Sequence, residues 1–438
     1  MTGDVATRGE TDVAGETDAA DVTNGVGDAF SEGRGKRALR CLLHLMGCAL
    51  NGTVPSTEFT TGMDDELVLC LARHHSVSAL AAVALMSAGI PDPRWKAAYD
   101  ESSLRQALMG VDREAVLAGL EGLGIRYVTL KGIRVAALYP DPATREMADN
   151  DILFECPDMS TRAAVRELMV SLGFTVDLYE KGNEDVYLKE PFSNFEMHVA
   201  LFPGAVTPRE SDYYADVWDR VVPDGVGRAC RLTPTDSYVY VVAHMFKHYQ
   251  GGGCGLRTLS DLYVLNCLRG EFQDAVDHEA AARELAVMGA EGFESDMREL
   301  SSALLSDPYG LDASIASLGP TPRAELAYLA GSGTYGTETN MIDNKLRRMG
   351  ADDAAGSVLR YVARRLVPPV DQVCSQRSVI DRHRWLLPLY YPYRLVRGAV
   401  VNHDKIGREV HHLADVLRGS NMAYKRDADE AGEGGGDG

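Results

Sequence analysis

The sequence has no pair of cysteines spaced C-x-x-C, no apolar run long enough to cross a bilayer, no extended basic stretch and no internal repeat. Each absence removes a class of answers. The eight cysteines (Cys41, Cys48, Cys70, Cys156, Cys230, Cys254, Cys267 and Cys374) are scattered, most of them among apolar residues, as reduced core thiols are. The most apolar segment, Ser76 to Ile90, is about 15 residues, too short for a membrane span and suited to a buried helix. A polar N-terminus offers no secretory h-region, so a reducing cytoplasm is the expected compartment and no membrane association is expected.

Positive charge is scarce: 44 Lys and Arg stand against 64 Asp and Glu, for a formal net charge of −20. Much of the excess sits at the ends. Residues 1–33 carry eight acids against the single base Arg8, and residues 427–438 carry five acids and no base. Both ends are rich in small polar residues and acids with almost nothing to bury, so 1–36 and 421–438 are expected to be disordered acidic tails. The remaining middle is only mildly acidic. Without a basic stretch to neutralise phosphates, tight binding to a long nucleic acid is disfavoured, which leaves room for no more than a local basic pocket.

What is present divides into three stretches. Apolar residues recur at helical spacing over Arg37–Leu50, Asp64–Ala88 and, after Pro91 and Pro93, over Trp95–Leu123, so 37–115 is expected to be a helical N-terminal region. The texture changes over 116–234. Gly124 is placed to stop the preceding helix, and Ile125–Leu130 is a β-rich run. Ile133–Tyr139 reads as helix, Asp151–Phe154 as strand, and Thr161–Leu172 as an amphipathic helix ended by Gly173. Three further strands follow at Phe174–Tyr179, Asp185–Leu188 and Phe195–Leu201, the pattern of a small sheet covered by helices on one face. From 235 to 420 the helical period returns, clearest at Thr235–Gln250, Arg257–Cys267, His278–Val287, Pro322–Ala330 and Ala355–Leu366.

The segment that carries chemistry is Arg145-Glu-Met-Ala-Asp149-Asn-Asp151-Ile-Leu-Phe154. Side chains two apart in a strand share a face, so Asp149 and Asp151 project together while Ile152 and Phe154 turn away. Two such carboxylates repel unless a cation lies between them, and hard oxygen donors suit Mg²⁺, with Mn²⁺ as the alternative. Downstream, Asn194-Phe-Glu196-Met-His198-Val199 alternates, with Phe195, Met197 and Val199 toward a core and Glu196 and His198 on the opposite face. A neighbouring strand would bring Glu196 beside the Asp pair. Divalent ions held by three carboxylates stabilise the attacking and leaving oxygens of a phosphoryl displacement. Upstream, Lys131-Gly132 sits where strand gives way to helix, a setting that can receive phosphate or be a plain turn.

In order and spacing, Leu130-Lys131-Gly132, Tyr139-Pro-Asp141-Pro142 and Arg145-x-Met-x-Asp149-x-Asp151-Ile-Leu153 resemble the uncharacterised nucleotidyltransferase family of the polymerase-β superfamily. Glu196-Met-His198 resembles its later acidic-x-His strand motif, and Ala243-His244-Met-Phe-Lys247-His248 with Arg257 and Asp261 resembles its C-terminal helices. The likeness covers about residues 65–270. Lys131-Gly132 stands where better-known relatives carry Gly-Ser, and Glu196 where Asp is common. The resemblance implies an α+β fold, a small nucleotidyltransferase-like mixed sheet with helices, flanked by N- and C-terminal helical regions. It further implies catalytic, metal-binding Asp149, Asp151 and Glu196, with Lys131, Gly132, Arg145, His198 and Lys247 toward the nucleotide. The implied reaction moves an NMP from an NTP such as ATP to a hydroxyl of a protein or small molecule. The alternative is a catalytically silent nucleotide-binding or scaffold protein on the same fold.

Other residues read more plainly. His244 and His248 lie at i, i+4, but Met245 stands where a zinc protease needs Glu, so packing or phosphate is the expected role. Gly251-Gly-Gly-Cys-Gly255 follows a helix and reads as a flexible connection, Arg257 and Asp261 as an i, i+4 surface pair, and His74-His75 as structural. Arg145 either meets phosphate or clamps the Asp loop.

Overall fold

A computed structural model describes residues 33–418 except positions 91, 205, 269, 335, 350–353, 371–372, 375–379, 381 and 402. The two acidic tails lie outside the described residues, apart from the first turn of helix α1 (Gly33–Asn51), which begins earlier than its apolar stripe suggested. Helices α2 (Asp65–His74) and α3 (Ser78–Ser87) replace the single periodic stretch 64–88. The break falls at Ser76, whose φ of 50° takes the chain out of the helical region. Asp64 caps α2 by accepting the Leu67 N–H at 3.2 Å. Helix α3 is buried along most of its length, as its composition requires.

The 30-residue helix α4 (Pro93–Gly122) starts with Pro93 in the first turn behind the Asp92 cap, and its exit passes through Gly124 at φ 70°. Its length lets it serve two cores. Trp95 and Tyr99 join a large helical core, whereas Val116 and Leu120 lie under the sheet.

Seven strands form one mixed sheet: β1 (Tyr127–Thr129), β2 (Asn150–Phe154), β3 (Thr175–Leu178), β4 (Glu184–Lys189), β5 (Ser193–His198), β6 (Val222–Pro223) and β7 (Ala229–Arg231), in the order β3-β4-β5-β2-β1-β7-β6. The β2–β5 and β1–β7 pairings are parallel and the others antiparallel. Between β1 and β2 runs a short helix, α5 (Lys131–Ala136), and between β2 and β3 the helix α6 (Met159–Ser171). One face of the sheet presents Tyr127, Ile152, Phe154, Phe195, Met197 and Tyr187 to Val116 and Leu120 of α4 and Val165 and Met169 of α6. Each large side chain removed from water here contributes about 1.5–3 kcal/mol.

Coverage is not confined to that face. On the other, Val128, Leu153 and Cys230 join the large core built with α1, α3 and the C-terminal helices α7 (Pro234–Gln250), α8 (Arg257–Asn266), α9 (His278–Met288) and α10 (Glu291–Leu305). The β4–β5–β2 part of this second face carries Glu184, His198, Glu196 and Asp151. Strand β5 ends at His198 rather than Leu201, because the Val199 N–H turns to the Asn183 carbonyl. Among the described residues, no helix is long and apolar enough to cross a membrane. All eight cysteines are free.

Candidate active site

Parallel pairing of β2 with β5 sets Asp151 directly opposite Glu196 and Leu153 opposite His198, and antiparallel pairing sets Glu184 of β4 opposite His198. Because Ile152 and Phe154 on β2 and Phe195 and Met197 on β5 anchor the far face, a one-residue slip would bury the acids in the core and expose the apolar set. The register is therefore held by packing, and it aligns Glu184, His198, Glu196 and Asp151 across three strands.

Asp151 is the centre of the group. Its Oδ1 accepts from Lys131 Nζ at 2.7 Å and lies 3.1 Å from His198 Nε2, while its Oδ2 is buried with no hydrogen-bond partner. Burial works against its charge, but Lys131 and His198 outweigh that and hold the carboxyl well below the usual range. His198 Nε2 is also 3.6 Å from Glu196 Oε2, and its Nδ1 is 3.3 Å from Glu184 Oε2. Burial opposes protonation of that ring, yet hydrogen bonding to Asp151 and Glu196 lifts its pKa to about 9. Asp149, half-buried at the mouth of β2, behaves oppositely. Burial and the Asp151 charge push it up to about 7, although Lys131 and Arg257 pull it down.

Donor atoms of Asp151, Glu196 and His198 all lie within 4.8 Å of one another. Asp149 is not in that group but stands beside it, within electrostatic reach of Asp151 and Glu196. These residues fit a divalent cation: one buried carboxylate oxygen lacks a partner, and a neighbouring acid resists ionisation for want of positive charge. The mixed oxygen and nitrogen donors widen the choice beyond Mg²⁺ toward Mn²⁺ and other ions that accept imidazole.

The remaining expected residues divide. Lys131, at the start of α5, is spent on Asp151 rather than free in a turn. Gly132 lies under Met147, whose Cε would be 3.3 Å from an added Cβ, so glycine lets α5 pack against the Asp149 loop. Arg145 turns away from the acids and clamps. Its Nε and Nη2 donate to Asp261 at 2.8 and 3.0 Å, and its Nη1 donates to the Gly132 carbonyl at 3.3 Å. Tyr139 donates to the same carboxylate at 2.7 Å. Asp261 is thus buried in a network instead of pairing on the surface with Arg257, which donates to the Glu146 carbonyl at 3.0 Å.

Facing the acids is α7. Lys247 feels Glu184, Glu196 and Asp151, but burial and then Lys131 dominate and lower its pKa. His248 is brought down to about 4 by burial and by Lys247, and His244 is pushed well below its ordinary value by burial and by Lys131. The two imidazoles meet at Nε2···Nε2 3.3 Å. An acidic floor and a wall of cations and neutral imidazoles thus confront each other. Glu184 escaped the sequence reading, which began that strand one residue late; extending the alternation by one position places it on the face of Glu196.

A family model for uncharacterised nucleotidyltransferases matches residues 61–306. The chain belongs to this nucleotidyltransferase family. The matched span runs from just before α2 to the end of α10 and so includes every strand, the α5 turn and the α7–α8 wall. No curated protein and no solved structure matches the chain significantly.

Proposed function

We propose that this nucleotidyltransferase-family chain is a polymerase-β-type enzyme, dependent on Mg²⁺ or Mn²⁺, that transfers an NMP from an NTP such as ATP to the hydroxyl of a small molecule or protein. The observation that carries this reading is the β2–β5 register, which sets Asp151 opposite Glu196, with Asp149 two residues before it at the entrance of β2 and Lys247, His244 and His248 across the gap. Asp151, Glu196 and His198 would hold the cation, with Asp149 ionising beside it. When bound, the ion neutralises the phosphates and stabilises charge on the attacking and departing oxygens.

The chain's own groups do the rest. Lys247 and the paired imidazoles offer a phosphate-facing wall, because an anion placed there favours their protonated forms, which the surroundings disfavour. The acceptor oxygen forms a bond to the α-phosphorus as the bond from that phosphorus to pyrophosphate breaks, and Glu196 would take the hydroxyl proton. Positioning and charge compensation supply most of the rate in such reactions. Eight free cysteines agree with a reducing, cytoplasmic setting. The Lys131–Asp151 ion pair favours one other reading, a silent member of the family in which the ammonium stands permanently in place of a metal.

Thermal unfolding with each of the four NTPs, with and without Mg²⁺, separates the two. A nucleotide at 100 times its dissociation constant adds about 2.7 kcal/mol. The enzyme reading expects a Mg²⁺-dependent shift that Asp149→Ala removes. Nucleotide stabilisation that ignores both Mg²⁺ and Asp149 would establish the silent one.

A further inference from the structure

Beyond the family match, residues 354–401 carry eight arginines and only two acids, so a chain of net charge −20 contains a stretch at +6. The arginines are spread among apolar residues and make no continuous basic run. Two helices shape this stretch: α11 (Ala354–Leu366) and α12 (Leu387–Val401), the latter entered through a tight turn at Arg384–Leu386. The Tyr391 hydroxyl donates to the Pro368 carbonyl at 3.0 Å, and Arg394 Nη1 donates to the Arg365 carbonyl at 2.8 Å, so α12 lies against the end of α11. Inward, Tyr390 and Tyr391 pack on Val373, Cys374 and Ile380. Outward, Trp385, Leu389, Tyr393 and Val396 follow one another at intervals of four, four and three residues, and each is 61–72% exposed. That spacing is the helical repeat, so the four side chains form one stripe on the solvent side. Arg382 and Arg384 are exposed at its start, and Arg397 is half-buried beside its end.

A contiguous stripe of large apolar side chains rimmed by charge marks an interaction face. Charge and composition decide its occupant. The acidic end of this chain, residues 427–438, matches the arginines but has only alanine and glycine between its acids, nothing to cover Trp385 or Leu389. A second copy related by a twofold axis would set arginines against arginines. Single-stranded RNA would stack on Trp385 and Tyr393, but Leu389 and Val396 offer its bases no ring. An anionic lipid surface satisfies every element: the acyl boundary takes Leu389 and Val396, the headgroup level suits Trp385 and Tyr393, and the phosphates attract the arginines. With 15 residues, α12 is about 22 Å long, too short for a hydrocarbon core of about 30 Å. Lack of a spanning segment excludes crossing the bilayer, not lying on it. The acidic remainder of the chain is no bar, because charges more than about 8 Å from the surface are screened at physiological salt.

We propose that α12 and the turn before it form an interfacial helix that seats this protein on a membrane surface rich in anionic lipid. The face lies outside the carboxylate site and stands whether or not the transferase reading does.

The test sediments the full chain with vesicles of phosphatidylcholine and phosphatidylserine in equal parts, or of phosphatidylcholine alone, at low and physiological salt. The protein should pellet with the anionic vesicles, less so as salt rises, and stay in solution with the neutral ones. Arg382→Gln and Arg384→Gln should each weaken binding about 5-fold. Leu389→Asp with Val396→Asp should abolish it and leave thermal unfolding unchanged, since both side chains project into solvent. Trp385 is the exposed one of three tryptophans, so emission should shift to the blue on binding. Trp385→Phe should remove the shift while the protein still pellets. No pelleting of the wild type with anionic vesicles at low salt, or pelleting that Leu389→Asp with Val396→Asp leaves intact, overturns the proposal. A dimer in sedimentation velocity that the same double variant dissolves assigns the face to a second copy and overturns it too. So does vesicle binding gained only on removal of residues 427–438, which gives the face to that tail. Capture of a labelled oligouridylate that Trp385→Ala abolishes, without vesicle binding, overturns it in favour of RNA.

Discussion

Asp151→Ala and Asp149→Asn should move stability in opposite directions, although both remove a carboxylate from the same site. Asp151 has a side chain with 0% exposure and is held by Lys131, whose own side chain is 16% exposed, and by His198. Deleting it leaves a nearly buried ammonium without its partner, and loss of one member of a buried pair costs about 3–5 kcal/mol. Adding Lys131→Met removes the stranded charge, so the double variant should recover most of that loss. Asp149 has the reverse problem. Its carboxyl is lifted from 3.8 to about 7, which at ~1.4 kcal/mol per unit puts the cost of its charge in the metal-free protein at roughly 4 kcal/mol above neutral pH. A group raised in the folded state binds an extra proton between the two values, so folding loses stability as pH climbs through that window. Asp149→Asn should therefore gain up to a few kcal/mol at pH 8 and less as pH falls toward 5. Urea unfolding of the four metal-free proteins at both pH values measures this. Equal, small effects of both substitutions, or no rescue by Lys131→Met, would refute the charge arrangement.

Two further predictions concern the scaffold. The Arg145–Asp261 clamp is buried on both sides, so Arg145→Met or Asp261→Leu alone should each cost about 3–5 kcal/mol, and together clearly less than the sum in a double-mutant cycle. His75, fully buried with Nδ1 accepting the Leu256 N–H at 3.2 Å, is lowered to about 3 by burial. Below pH 6.5 the unfolded chain takes a proton that the folded ring refuses, so stability should fall by up to ~1.4 kcal/mol per pH unit as pH drops toward that value. The slope between pH 6 and pH 4, measured by urea unfolding, should flatten in His75→Gln.

Alternation along Asn150–Phe154 and Ser193–His198 was enough to read which side chains share a face, since period two leaves no other choice once the apolar set is buried. The partner of each residue was less legible. That Asp151 meets Glu196 depends on a parallel pairing, and that Arg145 meets Asp261 on packing between α5, α8 and the Asp loop. Strand β7 was invisible because three residues, Ala229–Arg231, carry no period, yet it extends the sheet beyond β1. The glycines of 251–255 read as flexibility but serve contact: the Gly252 carbonyl accepts the Thr337 N–H at 2.8 Å, and a Cβ on Gly255 would stand 2.6 Å from His75 Nδ1. Close approach of this kind is a property of the partner segment, more than fifty residues away in the chain, and no local pattern records it. His198 illustrates the same limit. Its place on the acidic face was readable, whereas its position among three carboxylates required β4.

Mn²⁺ binding followed by electron paramagnetic resonance, with and without a non-hydrolysable NTP, tests the central claim most directly. The wild type should bind the ion, and more tightly with nucleotide present. Glu196→Gln, which keeps size and removes charge, should weaken binding by at least the ~10–100-fold that loss of a metal's supporting partner costs, and Lys131→Met should strengthen it by freeing Asp151. Absence of Mn²⁺ binding at millimolar concentrations in the presence of every NTP, or binding that Glu196→Gln leaves untouched, would contradict a cation site on these strands.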